Sequence, residues 1–181
     1  MSMKKEFNET IRKELKKEMG VGSILAVPTL EKIVINMGIG KTKDNKQFLE
    51  EAVNDITKIA SQKPILTKSR IAISNFKLRK GVTVGIAVTL RGERMWDFYE
   101  KLVKIAFPRV KDFRGISKKS FDGKGNYNIG FKDMLIFPEI DANKINFTKP
   151  VQITIKTTAK NNEEGYMLLK RLEMPFAKVI N

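Results

Sequence analysis

Four apolar residues recur at every fourth position near the start of the chain: Phe7, Ile11, Leu15 and Met19, set among Lys and Glu. This is a narrow stripe of helical period, so residues 4–19 read as a helix that docks by one edge. Gly20 and Gly22 end it. At Leu30 the period changes to two. Ile33, Ile35 and Met37 fall on one side of an extended segment and Lys32, Val34 and Asn36 on the other, which predicts a strand over Leu30–Gly38. Helical spacing returns from about Lys46 to Ser61 through Phe48, Leu49, Ala52, Val53, Ile56, Ile59 and Ala60. Asp44 is placed to cap this helix, with Gln47 as its capping-box partner. Pro64 stops it, because the residue before a proline is pushed out of the helical region.

A short strand follows at Ile65–Lys68. Ser69–Gly81 has no clean period and reads as an exposed loop. Val82–Arg91 then alternates strictly: Val82, Val84, Ile86, Val88 and Leu90 form a core face, and Thr83, Gly85, Ala87, Thr89 and Arg91 a face that is small and polar until Arg91. Glu93–Phe107 is an amphipathic helix through Met95, Trp96, Phe98, Tyr99, Leu102, Val103 and Ala106, closed by Pro108. Arg109–Asn126 is irregular and rich in Gly, Lys and Arg. Tyr127–Phe137 is strand-like, with a bulge expected near Asp133 where the alternation slips. Pro138–Pro150 is a connection, and Val151–Thr158 alternates again. Asn161 caps a last helix through Leu168, Leu169 and Leu172, with Glu164 as the capping partner. Hairpin-length and helical links are mixed. The order predicts an α+β fold: a mostly antiparallel sheet with helices packed on one face, the other face partly open, plus an N-terminal helix. A single domain over residues 1–181 is expected, with 1–22 as a helical arm and 69–81 as an exposed basic loop.

Composition narrows the chemistry. A chain of 181 residues can bury about 70% of its unfolded surface and needs no disulfide or metal staple. It contains no Cys and no His, so the usual general base near neutral pH, the commonest metal ligand and the thiolate are all missing. Residues 1–18 carry both signs of charge, unlike a secretory leader, and no apolar run reaches spanning length. The chain reads as soluble and cytoplasmic. Its net charge is +15, from 35 basic and 20 acidic residues, which favours a polyanionic partner. The excess is uneven: Ile56–Gly92 holds no acid, and residues 61–91 hold seven Lys or Arg. Such a run is either a chance bias in a Lys-rich chain or a surface laid against negative charge.

Few motifs offer chemistry. Gly38–Thr42 reads Gly-Ile-Gly-Lys-Thr between a strand and a helix, but a phosphate loop needs its first Gly where Ile35 stands. A dinucleotide fingerprint needs its third Gly where Lys43 stands. The glycines suit a tight turn better. The carboxylates show no catalytic pairing: Glu50 and Glu51 lie on the polar side of a helix, and Glu163 and Glu164 suit a helix N-terminus. Trp96, Phe98, Tyr99 and Phe107 fall on a core face. Phe76, Phe113, Phe121 and Tyr127 stand in basic, Gly-rich surroundings, where they either pack or stack on exposed bases. The polar sheet face is the best candidate site. Asn36, Thr89 and Arg91 stand near strand ends, and Gln62 and Lys63 at a helix end. Small side chains admit an RNA backbone, amides bond base edges, and cations neutralise phosphates. The alternative is an ordinary solvated face.

Several segments carry a specific resemblance. Val34-Ile35-Asn36-Met37-Gly38-Ile39-Gly40, Gln62-Lys63-Pro64, Val88-Thr89-Leu90-Arg91-Gly92, Pro108-Arg109-Val110-Lys111-Asp112-Phe113-Arg114-Gly115, Phe121-Asp122-Gly123-Lys124-Gly125-Asn126-Tyr127 and Phe137-Pro138-Glu139-Ile140 together resemble the universal ribosomal protein family numbered five, the 5S-rRNA-binding proteins of the large subunit. The likeness runs in order from about Leu30 to Phe176, and the length and N-terminal helix resemble the bacterial form. It implies a structural RNA-binding protein of the central protuberance, with no enzymatic activity and no cofactor. The implied partners are 5S rRNA, 23S rRNA, the P-site tRNA, a small-subunit head protein and other central-protuberance proteins, with no membrane. It implies 5S contacts from Asn36, Gln62 and Thr89, and with them Lys32, Lys63, Thr67, Lys68 and Arg91 make up the expected RNA-binding set. The loop of Arg70, Phe76, Lys77, Arg79 and Lys80 is expected to reach tRNA, although Ile71, Ala72 and Ile73 make it more apolar than a purely basic loop. Glu139 and Asp141, a local acidic exception, are expected at the inter-subunit bridge. Two other classes are opposed by the residues: an RNA-modifying or nucleotide-using enzyme by the absent His and Cys, and a peripheral membrane protein by the narrow stripe on residues 4–19.

Overall fold

The computed structural model describes residues 2–39, 46–76, 78–141 and 149–177. Strands β1 (Leu30–Gly38), β2 (Ile65–Lys68), β3 (Thr83–Leu90), β4 (Tyr127–Phe131) and β5 (Val151–Thr157) form one open sheet in the order β2-β3-β1-β5-β4, antiparallel in character. The helices are α1 (Met3–Glu18), α2 (Lys46–Ala60), α3 (Gly92–Lys101, continued by a wider turn over Leu102–Ala106) and α4 (Asn162–Arg171). The architecture is α+β, as the periodicities predict. The chain groups into two compact units: Met1–Ile33, Leu90–Ile129 and Thr154–Asn181 form unit 1, and Val34–Thr89 with Gly130–Ile153 form unit 2.

In unit 1 the arm docks by its stripe. Met3, Phe7, Ile11 and Leu15 are buried, and the Phe7 ring lies 5.1 Å from that of Trp96. A strict four-residue repeat drifts by about 40° per step on a helix of 3.6 residues per turn. The wider-turned stretch Phe7–Ile11 inside α1 absorbs part of that drift and keeps the stripe on one side. Polar contacts pin the same edge: Lys4 pairs with Glu93, and Arg171 pairs with Glu14 at 3.2 Å and Glu18 at 2.9 Å. The stripe is consumed in packing, so it offers no face to a lipid surface. Tyr99 is fully buried on α3 and donates its hydroxyl to the Leu172 carbonyl at 3.2 Å; burial, aided by Glu173, pushes its phenol far above the ordinary range.

The α4 cap forms as its spacing predicts. Asn161 Oδ1 accepts from the Glu164 N–H at 2.8 Å, and the Glu164 carboxylate accepts from the Lys160 N–H at 2.8 Å. The loop 122–126 lies against this helix start. A Cβ on Gly165 would meet the Gly125 carbonyl oxygen at 2.6 Å and its Cα at 2.8 Å. That loop is held in place, because Thr157 Oγ1 donates to the Gly125 carbonyl at 2.9 Å and the Gly125 N–H donates to Asn162 Oδ1 at 3.1 Å. Gly165→Ala is therefore expected to cost ~1–3 kcal/mol through overpacking. Thermal unfolding followed by circular dichroism should show the melting temperature falling by several degrees; an unchanged value would mean the loop yields freely.

The expectation for Tyr127–Phe137 is corrected. The strand-like run Tyr127–Phe137 stops at Phe131, and a 3-10 turn follows over Met134–Ile136. The slip near Asp133 is no bulge: its carboxylate accepts from the Leu135 N–H at 3.3 Å and caps that turn. The loop 69–81 continues the β2–β3 hairpin, with Ile73 and Leu78 exchanging backbone hydrogen bonds at 3.0 Å. Of the aromatics in basic, Gly-rich surroundings, Phe113, Phe121 and Tyr127 each meet another ring, and Phe121 keeps part of its surface exposed. Phe113 lies 5.4 Å from Phe107. Phe121 meets Tyr127 at 4.7 Å, and Tyr127 is buried with its hydroxyl donating to the Ser117 carbonyl at 2.5 Å. The capping role expected of Asp44 lies outside the described residues.

In unit 2, α2 buries Phe48, Ala52, Ile56, Ile59 and Ala60. It ends in Ser61, whose φ of 50° is a left-handed cap that releases the chain before Pro64. Lys149 is buried to 2% exposure with its ammonium 2.6 Å from Asp55 and 3.6 Å from Glu51. It ties the approach to β5 onto α2.

Candidate RNA interface

The site grows from alternation on β3. Ile86, Val88 and Leu90 are buried, so Thr83, Gly85, Ala87 and Thr89 lie on the opposite face. β2 pairs antiparallel with β3 in the register Ile65 to Ala87, Leu66 to Ile86 and Thr67 to Gly85. Directly opposed residues share a face, so Ile65 and Thr67 join that open face. The register then shifts: Lys68 opposes Thr83 instead of Val84. The extra residue, Val84, lies on β3, so regular pairing ends there and Lys68 stands exposed at the end of β2. A Cβ at Gly85 would meet Thr67 Oγ1 at 2.8 Å and the Met37 carbonyl at 3.0 Å, so the strands approach closely only because no side chain stands there.

Asn36 is exposed on β1, between buried Ile35 and Met37. The Ile39 N–H bonds the Val84 carbonyl at 3.0 Å, so pairing toward β3 continues into the Gly-Ile-Gly segment. The left-handed Ser61 delivers Gln62 and Lys63 to the same unit. Gln62 is half-buried and its Nε2 donates to the Thr89 carbonyl at 3.3 Å, which fixes the helix end to the strand end. Lys63, Lys68, Arg70, Arg79 and Lys80 are exposed, within the acid-free stretch 56–92. Hence a polar, small-residue face is rimmed by cations with no carboxylate in that stretch to neutralise them.

Asn36, Gln62, Lys63, Thr67, Lys68 and Thr89 therefore share unit 2. Lys32, half-buried on β1, and Arg91, exposed just past β3, belong to unit 1. In the hairpin tip, the backbone of Phe76 closes a 3-10 turn at Ser74–Phe76, and Lys77 lies outside the described residues. Among the described residues no cluster of acids could hold a metal ion, and no helix is long and apolar enough to cross a membrane.

Comparison with known proteins bears on this arrangement. Residues 23–79 match the family model described as Ribosomal protein L5, and residues 83–176 match the model for the C-terminus of the same ribosomal family. The large ribosomal subunit protein uL5 of Colwellia psychrerythraea strain 34H is 48% identical over 174 residues, covering 96% of each chain. The protein of the same name from Thermoanaerobacter sp. strain X514 is 50% identical over 176 residues, covering 97% of this chain and 98% of its own. The chain belongs to the ribosomal protein L5 family. It is a structural, RNA-binding ribosomal protein rather than an enzyme, and its place is the cytoplasmic ribosome.

For a member of the L5 family, two features of unit 2 went unread in the sequence. Ile65 is 72% exposed on the open face; as an apolar residue in a strand it carried no local sign of pointing outward. Lys149 sits before a proline in a connection and had no periodicity to mark it as buried. Of the acidic pair expected at the bridge, Glu139 is half-buried and Asp141 exposed.

Proposed function

We propose that the open face of unit 2 binds 5S rRNA and that the chain, as a structural constituent of the large ribosomal subunit, helps hold that RNA in the central protuberance. The observation that carries this reading is the polar face of Asn36, Thr67 and Thr89, rimmed by exposed cations, Lys63 and Lys68 among them, in an acid-free stretch. Asn36 and Gln62 supply amides for base edges and sugars, Thr67 and Thr89 hydroxyls, and Lys63 and Lys68 phosphate neutralisation. Lys32 on β1 and Arg91 just past β3 complete the proposed set. Exposed Ile65 adds apolar surface for a sugar or base face.

The test is 5S rRNA binding by the purified chain across a salt series. Log affinity should fall linearly with log salt, by roughly 0.7–0.9 per phosphate neutralised. Asn36→Ala and Thr89→Ala should each weaken binding by ~0.5–1.5 kcal/mol with the salt slope unchanged. Gln62→Ala should do the same and also loosen the Thr89 carbonyl contact, whereas Lys63→Ala should lower the slope itself. Equal affinity in the three polar variants would place the RNA elsewhere.

The hairpin tip with Arg70, Phe76, Lys77, Arg79 and Lys80 is the segment proposed to reach P-site tRNA, because its cations carry no base-specific spacing and suit a backbone common to all tRNAs. Glu139 and Asp141 are proposed to meet a basic small-subunit head protein. Reversing both charges should weaken subunit association most at low salt, where long-range attraction is least screened. Sedimentation of subunit mixtures reads the effect, and unchanged association would leave these acids as solvated turn residues.

A further inference from the structure

Unit 1 carries a second surface that the open sheet face does not use. Lys118, Phe121, Asn162, Glu163, Tyr166 and Met167 line a groove of about 300 Å³, at the small end for a ligand pocket. Its two lining rings, Phe121 and Tyr166, belong to an aromatic cluster. Buried Tyr127 meets Phe121 at 4.7 Å and Phe176 at 5.7 Å, and Phe176 meets Tyr166 at 4.8 Å. Phe121, Tyr166 and Phe176 are only half-buried, so ring surface remains open to solvent. A purely structural cluster would gain by closing over those rings.

The charge around the groove identifies its occupant. The Lys118 ammonium lies 4.3 Å from the centre of the Tyr166 ring, and that of Lys170 lies 6.0 Å from it. Lys119 follows Lys118 on the same short turn, and Lys124 and Lys160 stand in the segments that hold the start of α4. Two of the neighbouring acids are engaged locally, Asp122 accepting from the Lys124 and Asn126 N–H groups and Glu164 from the Lys160 N–H, while exposed Glu163 lines the groove itself. Half-open rings flanked by long-armed cations are the combination that single-stranded RNA requires, with a ring face for a base and ammonium groups for its phosphates. Asn162 spends its Oδ1 on the Gly123 and Gly125 N–H groups at 2.9 and 3.1 Å, leaving its NH2 as a donor, while Glu163 offers an acceptor. An apolar peptide side chain would fill the groove but would gain nothing from the lysines.

We propose that this groove holds one unstacked nucleobase of single-stranded RNA, with the base against Tyr166 and Phe121 and Lys118, Lys119 and Lys170 on the flanking phosphates. Lys118 leaves the Tyr166 face as the base arrives and takes up the phosphate. The contact is independent of the 5S reading, because all its residues lie in unit 1.

The test uses the full chain and a five-nucleotide single-stranded RNA of mixed sequence, followed by NMR, in the background Asn36→Ala, Gln62→Ala, Thr89→Ala so that the unit 2 face does not compete. Expected are upfield shifts of the Phe121 and Tyr166 ring protons with the Met167 methyl. Tyr166→Phe should bind normally. Met167→Glu, which puts a charge into the groove without entering the core, should weaken binding about tenfold, a factor within the range of losing one stacked base. Tyr166→Leu should do likewise, and retained amide dispersion in both variants would show that each still folds. Shifts confined to lysines, with Met167→Glu and Tyr166→Leu binding as well as the parent, would reduce the contact to non-specific charge attraction and overturn the proposal. No binding of the pentamer would overturn it too, and saturable binding of an acidic, Leu-rich peptide in its place would assign the groove to a protein. Failure here leaves the 5S assay untouched, and failure of the 5S variants leaves these ring shifts untouched.

Discussion

Replacing Lys149 with alanine is expected to lower the stability of the chain by about 3 kcal/mol, the lower end of the cost of breaking a buried ion pair. The side chain is 3% exposed, while those of Asp55 and Glu51 are 17% and 28% exposed. Removing the ammonium strands two carboxylates one helical turn apart on α2, where like charges also repel each other. Their remaining access to water keeps the cost at the lower end. The loss includes packing as well as charge, since the Lys149 ammonium lies 5.8 Å from the centre of the Phe48 ring and its alkyl stem is buried. Lys149→Met separates the two contributions: it keeps the stem and removes the charge. Adding Asp55→Asn to Lys149→Met should recover part of the deficit, because the nearer stranded charge is gone. Urea unfolding measures all three variants. A midpoint for Lys149→Ala within error of the parent would show that the pair contributes nothing net, and recovery absent from the double variant would show that the deficit is packing alone.

Lys149 marks where legibility ended. A period of two or 3.6 is a local signal, so β1 falls where the alternation puts it, and Asn161 caps α4 because the cap and its partner are three residues apart. Contacts between distant segments leave no such trace. Phe121 and Phe113 stand in basic, Gly-rich surroundings that suggested exposure, yet their partners Phe176 and Phe107 lie on other elements. The overrun of β4 past Phe131 has the same root: apolar residues at Met134, Ile136 and Phe137 extend the pattern, but a single Asp133 side chain diverts the backbone into a turn. The candidate face shows both sides of this. Its polarity was legible because Thr83, Gly85, Ala87 and Thr89 alternate with apolar residues. The bulge at Val84 that sets Lys68 opposite Thr83 was not, because it depends on which residues of two strands end up opposed. The choice of 5S rRNA as partner came from the six family motifs, since charge and polarity alone specify a polyanion and no particular one.

Exchanging residues 70–80 for a short Gly-Ser linker should leave the fold and 5S rRNA affinity nearly intact while P-site tRNA leaves the ribosome about tenfold faster. The structural half follows from where the hairpin is held. The Ser69 N–H bonds the Val82 carbonyl at 2.8 Å and the Gly81 N–H bonds the Ser69 carbonyl at 2.9 Å, so the base closes without the tip. Among the described residues the tip adds the Ile73–Leu78 bridge and two carbonyls, Arg79 accepting from the Val82 N–H at 3.3 Å and Ile71 from the Ser69 hydroxyl at 2.7 Å, and Ile71 and Ile73 are 70% and 43% exposed, so little apolar burial is lost. Shortening a closed loop changes its entropy slowly. Within unit 2, β2 keeps its register with β3 through Ile65, Leu66 and Thr67, and so the face of Asn36, Thr67 and Thr89 persists. The functional half follows from charge. The exchange removes Arg70, Lys77, Arg79 and Lys80, and exposed phosphate contacts at ~0.2–1 kcal/mol each sum to about 1.4 kcal/mol, a factor of ten. The loss should shrink at high salt, where such contacts are screened. Two measurements on one variant decide it: 5S affinity of the purified chain, and the dissociation rate of P-site tRNA from ribosomes that carry it. If 5S binding disappears while the circular dichroism spectrum is retained, the tip belongs to the rRNA face and the separation of roles fails. If both quantities match the parent, the cations of the tip do not contact tRNA.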